Sequence, residues 1–265
     1  MYELVRSFPM GDSANTDPAK AEHGRTASAT RNIAGHRIQR EGKLMPAQQV
    51  PKGRSRERRR DPDRTRGEIL DVATTEFATN GFAGARVDEI AARTRTTKRM
   101  IYYYFESKEG LFVAVLERAY GAIRSAEQAV DVDHLDPPAA VRRLAELTFD
   151  HHESHPDFIR LVSIENIHHG EHMRKSATLR NLNSPAIELI HRILERGYAS
   201  GAFRRRVEAI DLHVMISSFC VFRIANRHTF GALFDHDLTD PALRDTYRRM
   251  LGDMVVGYLA GDPAD

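Results

Sequence analysis

Residues 97–108, TKRMIYYYFESK, place cations and three consecutive tyrosines on about three helical turns. Thr97 is suited to cap the start of one helix, and Ser107 is suited to open the next. A solvated helix face does not need three adjacent tyrosines, and a core helix would not accept the charges beside them. A polyanion with phosphates and base edges suits both residue types, so we predict that this stretch enters a DNA major groove.

The side chains that we expect at the DNA lie on this helix or at the start of the next. They are Thr97, Lys98, Arg99, Met100, Tyr102, Tyr103, Tyr104 and Lys108. Lys98 and Arg99 can donate hydrogen bonds to guanine, Met100 can contact a thymine methyl group, and Tyr103 can reach a sugar or base edge. We expect these four side chains to determine sequence preference.

The remaining members of the set are expected to bind phosphates. Tyr102 and Tyr104 can donate their hydroxyls, and Lys108 stands at a helix start, where backbone N–H groups and the helix dipole also favour an anion. The alternative for Tyr102 is packing inside a three-helix core, which is also the predicted place of Phe105.

Length and composition indicate a globular protein whose charge is unevenly distributed. With 265 residues, 41% of them hydrophobic, the chain can bury the core of one large domain or two small ones. The net charge of +2 is too small to indicate nucleic-acid binding, but 52–66 is densely basic. Cys220 is the single cysteine, so an internal disulfide is excluded. We interpret it as a small buried hydrophobic residue, with a redox or cross-dimer role as the alternative.

Targeting and membrane segments are not predicted. Residues 1–13 lack an apolar stretch of ~7–15 residues, and no later run approaches ~18 uninterrupted apolar residues. Together with the cysteine usage, this predicts a soluble cytoplasmic protein with no membrane partner.

The first 60 residues contain few large apolar side chains and show no sustained period, so we predict a disordered extension. Its basic segment 52–60 ends just before the first helix, where it could be an arm that contacts phosphates or a minor groove. A solvated tail is the alternative, and a translation start at Met45 would remove most of the extension.

Residues 61–106 carry the pattern of a helix-turn-helix domain. Asp61 and Pro62 start a helix that is predicted to end near Thr79, with Asn80-Gly81 as a left-handed stop. A short helix over 87–93 and a tight connection over 94–96 then lead to the helix at Thr97. A short helix, a tight turn and a helix with exposed donors form the helix-turn-helix arrangement.

The stretch 69–116 resembles the N-terminal DNA-binding domain of TetR-family transcriptional regulators. It contains LDVATTEFATNGFAGARVDEIAARTRTT, RMIYYYFESKEGLF and AVL. The positions that match the family pattern are Phe77, Gly81, Phe82, Ile90, Ala91, Tyr102, Tyr104, Phe105, Lys108 and Leu111. The aromatic-x-Tyr-Phe-x-x-Lys-x-x-Leu string is the most specific part of the match.

Two positions depart from that pattern. The family usually has Ser or Thr at the cap of the second helix, where this chain has Arg86, and Gly in the turn, where it has Arg95. If the turn requires a positive φ, Arg95 costs ~1 kcal/mol or more. Both arginines add positive charge near the expected DNA surface.

The chain beyond Ser107 is predicted to be all-helical, so the fold class is all-α. A long helix follows Ser107, a break lies at 131–136, and Asp136-Pro137 and His155-Pro156 start two further helices. A polar connection over 171–183 precedes a helix opened by Ser184-Pro185. We assign 1–60 to the extension, 61–106 to the DNA-binding domain and 107–265 to an effector-binding and dimerisation domain.

The last two predicted helices provide a candidate dimer surface. Residues 208–229 are apolar almost all round, and a helix starting at Asp240-Pro241 has a wide apolar stripe from Leu243 to Leu259. Two such helices from each chain could form a four-helix interface across a two-fold axis. In the family, the last two helices form the homodimer. Packing of the stripe within its own domain is the alternative.

Two histidine-rich groups contain side chains that could bind a metal ion. They consist of Asp150, His151, His152 and His155, and of Glu165, His168, His169 and His172. Gly170 interrupts the second helix face, and no second cysteine or HExxH string completes a ligand set, so we predict no metal. We expect these histidines to be solvated or hydrogen-bonded within the protein.

The resemblance implies a DNA-binding transcriptional regulator, more specifically a ligand-responsive repressor that binds a palindromic operator as a homodimer. The implied partners are double-stranded DNA and a small-molecule effector, without a cofactor or enzymatic activity. Candidate effector contacts are Leu161, Glu165, Asn166, His168 and Phe222. The alternatives are a helical metal-dependent hydrolase and a helical adaptor that has lost DNA binding.

Overall fold

The computed structural model describes residues 61–182 and 184–262, and within these ranges every regular element is a helix, as predicted. The predicted extension 1–60 and its basic arm lie outside the described residues. The helices are α1 (Pro62–Gly84), α2 (Val87–Arg93), α3 (Lys98–Phe105), α4 (Lys108–Gln128), α5 (Pro137–Ser154), α6 (Pro156–Ile167), α7 (Glu171–Arg174), α8 (Ala177–Leu182), α9 (Ser184–Ala199), α10 (Ala209–Ala225), α11 (Arg227–Phe234) and α12 (Arg244–Ala260).

Local capping signals place the starts of the first helices where the sequence predicts them. Asp61 accepts a hydrogen bond from the Asp63 N–H, and Pro62 occupies the first helical position of α1. Gly81, where a left-handed stop was predicted, has φ 71° and ψ 173° and interrupts α1 with a kink instead of ending it. Helical residues resume after this kink and continue to Gly84, five residues beyond the predicted end at Thr79.

The first core joins the DNA-reading helices to the rest of the chain. Ile69, Phe77, Ile90, Ile101 and Phe112 are fully buried and hold α1 to α4 together. This cluster also includes buried leucines of α6 and α8. The helix-turn-helix unit is therefore packed directly against the C-terminal helices rather than held by a linker alone.

A second core lies among α5, α9, α10 and α12. Its fully or almost fully buried members include Val141, Phe149, Ile193, Ile216 and Val255. Cys220 belongs to the same core, and burial raises the pKa of its thiol to about 12. The interpretation of Cys220 as a small buried hydrophobic residue is therefore confirmed.

The polar connection predicted over 171–183 contains two short helices. The Glu165 carboxylate accepts hydrogen bonds from the N–H groups of His172 and Met173 and thereby caps α7. Ser176 accepts from the Leu179 N–H at the start of α8. Caps stabilise these short elements although their sequence has no apolar period.

The last part of the chain differs from the prediction at two points. The apolar helix predicted over 208–229 ends at Ala225, and a separate helix, α11, follows a bend at Asn226. The final helix begins at Arg244 rather than at Asp240. Asp240 instead caps a turn, because its carboxylate accepts from the Ala242 N–H and its carbonyl accepts from the Leu243 N–H.

One face of α10 and one face of α12 remain uncovered in the single chain. Ile210, Val214 and Phe222 on α10 are about half exposed, and Met250, Met254 and Tyr258 on α12 are nearly as exposed. The opposite faces of both helices are buried in the second core. The predicted four-helix interface across a two-fold axis stays a prediction for this surface.

No single helix in the described ranges is long and apolar enough to cross a membrane. By length and composition alone, the pair α10 and α11, bent by 67°, passes the same criterion together.

Candidate nucleic-acid interface

The start of α2 is fixed by a carboxylate from α1. Arg86 occupies the cap position without a side-chain cap bond, and its backbone N–H donates to Glu76 Oε1 at 3.1 Å. Glu76 is buried, and its other oxygen lies 3.7 Å from an Arg93 guanidinium nitrogen at the end of α2. Glu76 thus satisfies the backbone N–H of the cap residue itself and connects both ends of α2 to α1.

The turn between α2 and α3 is a Schellman motif. The Thr96 N–H donates to the Ala91 carbonyl at 3.0 Å, and the Arg95 N–H donates to the Ala92 carbonyl at 3.2 Å. Arg95 has φ 52°, so the turn does require a positive φ at this non-glycine residue, and the cost considered for that case applies. The unusual arginine leaves the turn geometry of the helix-turn-helix intact.

The third helix has one buried and one exposed face. Thr97 caps it by accepting from the Met100 N–H at 3.2 Å. Ile101 and Phe105, one turn apart, face the first core, and Phe105 is only 5% exposed, as predicted. Because the buried face is held by this core, the orientation of the opposite face is fixed.

The exposed face carries the predicted base-reading side chains. Lys98, Arg99 and Met100 are exposed, and Tyr103 is 77% exposed. Lys98 Nζ lies 3.3 Å from Asp88 Oδ2 on α2 in a solvated ion pair. Such pairs contribute only about 0–1 kcal/mol, so DNA can displace Asp88 at little cost.

The other two tyrosines of the string differ in burial. Tyr102 is 36% exposed, so its alternative position inside the three-helix core is not observed. Tyr104 is half-buried against the first core, and its ring lies 5.4 Å from that of Tyr103. Both side chains remain able to present a hydroxyl to a phosphate.

Lys108 lies at the corner where α4 starts. Ser107 caps α4 by accepting from the Gly110 N–H at 2.9 Å. Lys108 Nζ donates to the Ala83 carbonyl at 3.1 Å and lies 5.2 Å from the centre of the Phe82 ring. Burial lowers the pKa of Lys108, and the nearby Glu76 carboxylate opposes that shift. The ammonium group therefore has protein partners of its own beside the predicted phosphate position.

Two structural residues of this unit escaped the sequence interpretation. Glu76 is a carboxylate within the apolar face of α1, and this placement was a usable signal. Gly110 permits the corner between α3 and α4, because a Cβ atom there would lie 2.1 Å from the Phe105 carbonyl oxygen. That contact is between residues five apart and has no sequence signature beyond the glycine itself.

The structure does not bring the five candidate effector residues together on one surface. Leu161 and Glu165 are buried, and Glu165 bonds to His172 through both carboxylate oxygens. Asn166 is exposed and donates to the Val162 carbonyl, while His168 packs beside Phe82 of the DNA-binding unit. Phe222, on α10, belongs to the uncovered apolar face.

A cavity of about 510 Å³ lies near these residues without involving them. It is lined by α1, α6, α10 and α11, with Ile159, Ile164 and Ile224 among its apolar residues and Arg160 and Arg227 among its cations. Within the described ranges, no group of three or more His, Cys, Asp or Glu side chains is arranged to hold a metal ion.

Comparison with known proteins identifies the family of this helix-turn-helix chain. Residues 69–115 match the family of bacterial regulatory proteins named tetR, and 137–255 match the tetracyclin repressor-like C-terminal domain. The chain is 37% identical over 199 residues to the HTH-type transcriptional repressor NicS of Pseudomonas putida. That match covers 75% of this chain and 94% of that protein. The chain belongs to the TetR family of transcriptional regulators.

Two other similarities agree with this assignment. The TetR-family chain is 39% identical over 111 residues to the HTH-type transcriptional repressor SCO4008 of Streptomyces coelicolor, covering 42% of this chain and 54% of that protein. The crystal structure of a tetR-family regulatory protein from Rhodococcus RHA1 has the same fold. Its TM-score is 0.59 at 18% identity, over 76% of this chain and 98% of that one.

Membership of the TetR family defines the general activity. The protein is a DNA-binding transcriptional regulator and not an enzyme, so the hydrolase alternative is wrong. TetR-family regulators bind DNA operators and small-molecule effectors, typically as dimers. In the helix-turn-helix arrangement the second helix is the one that enters the major groove, and α3 has that position in this chain.

Proposed function

We propose that this TetR-family regulator is a ligand-responsive repressor that acts in the cytoplasm and binds a palindromic operator as a homodimer. The observation that carries the proposal is the outward face of α3, where cations and Tyr103 stand exposed while Ile101 and Phe105 fix the helix from behind. A rigid helix with exposed donors can be inserted into a major groove without reorganisation. The P. putida relative is named a repressor, which favours repression over activation.

The roles of the individual side chains follow from their positions on α3. Lys98 and Arg99 donate to guanine edges, Met100 contacts a thymine methyl group, and Tyr103 reaches the adjacent sugar or base. Thr97 lies at the start of α3, where the helix meets the DNA backbone. The hydroxyls of Tyr102 and Tyr104 bind phosphates on either side of the groove.

Lys108 serves phosphate binding together with the backbone N–H groups that open α4. Its bond to the Ala83 carbonyl orients the ammonium at the corner between α1 and α4. It is therefore a phosphate contact already held in place before DNA arrives, which reduces the entropy lost on binding.

DNA binding and effector binding are assigned to separate domains of the chain. Residues 61–106 read DNA, residues 107–265 bind the effector and dimerise, and the basic run in 1–60 adds phosphate contacts. The effector acts through the shared first core, since buried leucines of α6 and α8 pack against the helices that hold α3. A ligand that shifts these helices changes the spacing of the two recognition helices.

The partner in the homodimer is a second copy of the uncovered apolar faces of α10 and α12. Monomeric proteins seldom leave a contiguous apolar surface on two adjacent helices exposed to water. A two-fold axis through this surface sets the two α3 helices about 34 Å apart, one turn of DNA, so that each reads one half of a palindrome.

Selection of bound duplexes from a random DNA pool, at fixed near-physiological salt, tests the DNA contact. The wild-type chain should recover a palindrome, and Arg99→Ala should lose preference at one position of each half-site, by about 1–3 kcal/mol. Lys108→Ala should weaken binding to all sequences alike and lower the slope of log affinity against log salt by about 1.

The matched control for this selection is Arg160→Ala, which removes an exposed cation from α6 and should leave the recovered sequence unchanged. Thermal denaturation of the Lys108 variant separates lost phosphate binding from the lost bond to Ala83. Recovery of unselective duplexes alone, with steep salt dependence, would contradict the assigned role of α3. A reporter promoter carrying the recovered site distinguishes the two directions of control, since activation by the protein would overturn the repressor assignment.

Sedimentation analysis of charged variants tests the dimer. Val214→Glu and Met254→Glu place carboxylates on the uncovered faces of α10 and α12, so each should produce monomers that no longer select a palindrome. Ile167→Glu is the control, because Ile167 is apolar and even more exposed than these two residues but lies on α6. A dimer that survives both interface changes would place the two-fold axis elsewhere.

A further inference from the structure

The interior of the C-terminal domain contains a group of buried polar side chains that the DNA contact does not use. Helices α4, α5 and α10 contribute its members, which are Arg124, Glu127, Thr148, His151, His152 and, partly buried, His213. A polar group in such a place must satisfy its hydrogen bonds within the protein or with a bound molecule.

Part of this group is internally satisfied. Arg124 donates from one terminal nitrogen to Glu127 Oε2 at 2.7 Å, and His152 Nδ1 lies 2.8 Å from the Thr148 carbonyl oxygen. The Thr148 hydroxyl donates to the Leu144 carbonyl at 3.0 Å. These bonds fix Glu127 and His152 in the places where they are seen.

Three buried nitrogen atoms are left over. Arg124 Nε and both ring nitrogens of His151 are inaccessible to solvent and have no hydrogen-bond partner among the described residues. A neutral imidazole carries one N–H donor and one acceptor, and the Arg124 Nε–H is always a donor. The cluster therefore holds two unused donors and one unused acceptor.

Packing rather than hydrogen bonding holds the His151 ring. It stacks on His155 at a centroid distance of 4.2 Å and meets the edge of Phe158 at 6.0 Å. Because His155 and Phe158 fix the orientation of the His151 ring, its two nitrogens are not needed to hold it and can bind a further partner.

The electrostatics of the cluster favour an anion over a metal ion. Burial lowers the pKa of His151 and of His152 to about 4, and the neighbouring histidines and the Arg124 charge act in the same direction, while the bond to the Thr148 carbonyl opposes the shift of the His152 pKa. Burial and Arg124 also lower the pKa of His213. The positive charge of Arg124 thus acts on all three rings, and it would repel a cation bound to them. Among the residues that the structure describes, Glu127 is the carboxylate hydrogen-bonded to this arginine.

We propose that Arg124 Nε and His151 form the polar end of a buried binding site for a small organic acid, whose carboxylate accepts from both donors. A carboxylate has two acceptor oxygens in one plane and forms charge-assisted bonds with arginine. A water molecule can donate to the second ring nitrogen of His151. Ile123 and Phe158, both buried beside the cluster, offer apolar contact to the body of the acid.

This inference rests on the proposed function, because it names the effector class for the same domain. Arg124 lies on α4, the helix whose first turns pack under α1 and α3, while His213 lies on α10, which carries the uncovered apolar face. An acid bound between these helices can therefore act on both the DNA-reading unit and the dimer surface.

Isothermal titration calorimetry with the full chain, without DNA, tests the site. The probes are acetate, hexanoate, octanoate and benzoate, each compared with its primary amide, which has the same shape without the charge. At least one acid should bind, and its amide should bind about tenfold or more weakly, since hydrogen bonds to charged groups are the stronger ones.

Two variants and one control assign the binding to these residues. His151→Phe keeps the aromatic packing but removes the nitrogens, and the double variant Arg124→Met with Glu127→Gln removes the donor without leaving a buried carboxylate unpaired. Both should weaken acid binding about tenfold or more. Arg143→Met, which replaces an exposed cation on α5, should leave it unchanged.

The outcomes separate this inference from the proposed function. Binding of none of the acids, equal binding of acids and amides, or binding retained by both cluster variants would overturn the acid site. The same preparations are tested for operator selection without any acid, and failure there would overturn the proposed DNA binding instead. If an acid binds but leaves the affinity for the operator unchanged, the site does not bind the effector.

Discussion

His172 donates from Nδ1 to Oε2 of Glu165 across 2.8 Å, and both side chains are buried. The bond closes the bend between α6 and α7. It holds the centre of the His172 ring 4.4 Å from the centre of the Phe82 ring and 5.1 Å from that of the Phe112 ring. Both phenylalanines belong to the part of the chain that supports α3. The contact between the DNA-reading unit and the effector domain is therefore built around one carboxylate on α6.

Glu165→Gln should reduce the free energy of unfolding by about 1–3 kcal/mol. Three N–H donors converge on this carboxylate, two from the backbone of His172 and Met173 and one from the His172 ring. An amide can accept with one oxygen only, and its NH₂ group would face another donor. Urea unfolding at fixed protein concentration and neutral pH measures the loss.

Glu188→Gln is the matched control, because Glu188 is an exposed residue of α9. It should change the stability by less than about 0.5 kcal/mol. If the two variants were equally stable, Glu165 would not be the centre of the contact.

Gly110→Ala should destabilise the corner between α3 and α4 by about 1–3 kcal/mol, or more if the backbone cannot shift. The new Cβ atom would lie 2.1 Å from the Phe105 carbonyl oxygen, and a backbone atom cannot rotate away as a side chain can. Because this corner positions both Phe105 and Lys108, operator affinity should fall as well. Thermal denaturation and DNA titration measure the two effects.

Gly121→Ala provides the opposite expectation on the same helix. A Cβ atom there has open space, and alanine is favoured over glycine in a helix by about 0.5–1 kcal/mol. Gly121→Ala should therefore stabilise the chain. Equal effects of the two changes would show that helix propensity, and not the contact with Phe105, decides the outcome at Gly110.

The Arg95 position can be tested by comparing glycine with alanine. Both substitutions remove the same side-chain interactions, but only glycine adopts φ 52° without strain. Arg95→Gly should therefore be more stable than Arg95→Ala by about 1–2 kcal/mol, as measured by urea unfolding. An alanine variant as stable as the glycine variant would mean that the turn relaxes to another path.

The sequence predicted the elements whose ends are marked by local chemistry. Asp61, Thr97, Ser107 and Asp136 each cap the helix that they were expected to start, because a cap bond joins residues two or three apart. The outward face of α3 was predictable for a similar reason. Once the helix is known, the spacing of Ile101 and Phe105 determines which face is buried.

The sequence did not predict the elements that depend on contacts between distant residues. The carboxylate of Glu76 accepts from the N–H of Arg86, ten positions away, where α2 starts, and that of Glu165 caps α7 from the preceding helix. Ser176 is a local cap that could have been noticed, but four- and six-residue helices have no apolar period to support it. Periodicity also cannot show which interior polar atoms stay unpaired. His151 was therefore interpreted as solvated or hydrogen-bonded, although its ring nitrogens are buried and have no hydrogen-bond partner in the described part of the chain.

The stability of the chain should fall as the pH is lowered from 7 to 5, in part because of His151 and His152. Their pKa in the folded chain is about 4, against about 6.5 in the unfolded chain, so between these values the unfolded chain binds more protons. Stability therefore rises with pH through this window. For each fully shifted histidine the loss from pH 7 to pH 5 is about 2 kcal/mol.

Urea unfolding at pH 5 and at pH 7, at one protein concentration, measures this loss, and His151→Phe identifies its source. The variant should lose about 2 kcal/mol less than the wild type between the two pH values, because one buried histidine no longer has to stay neutral. His191→Phe, which replaces an exposed histidine on α9, should keep the full dependence. Since an organic acid at Arg124 would favour the protonated imidazole, its presence should also reduce the loss in the wild type and not in His151→Phe. An identical pH dependence in all three proteins would mean that the ring nitrogens of His151 are solvated and that the buried polar cluster is open to water.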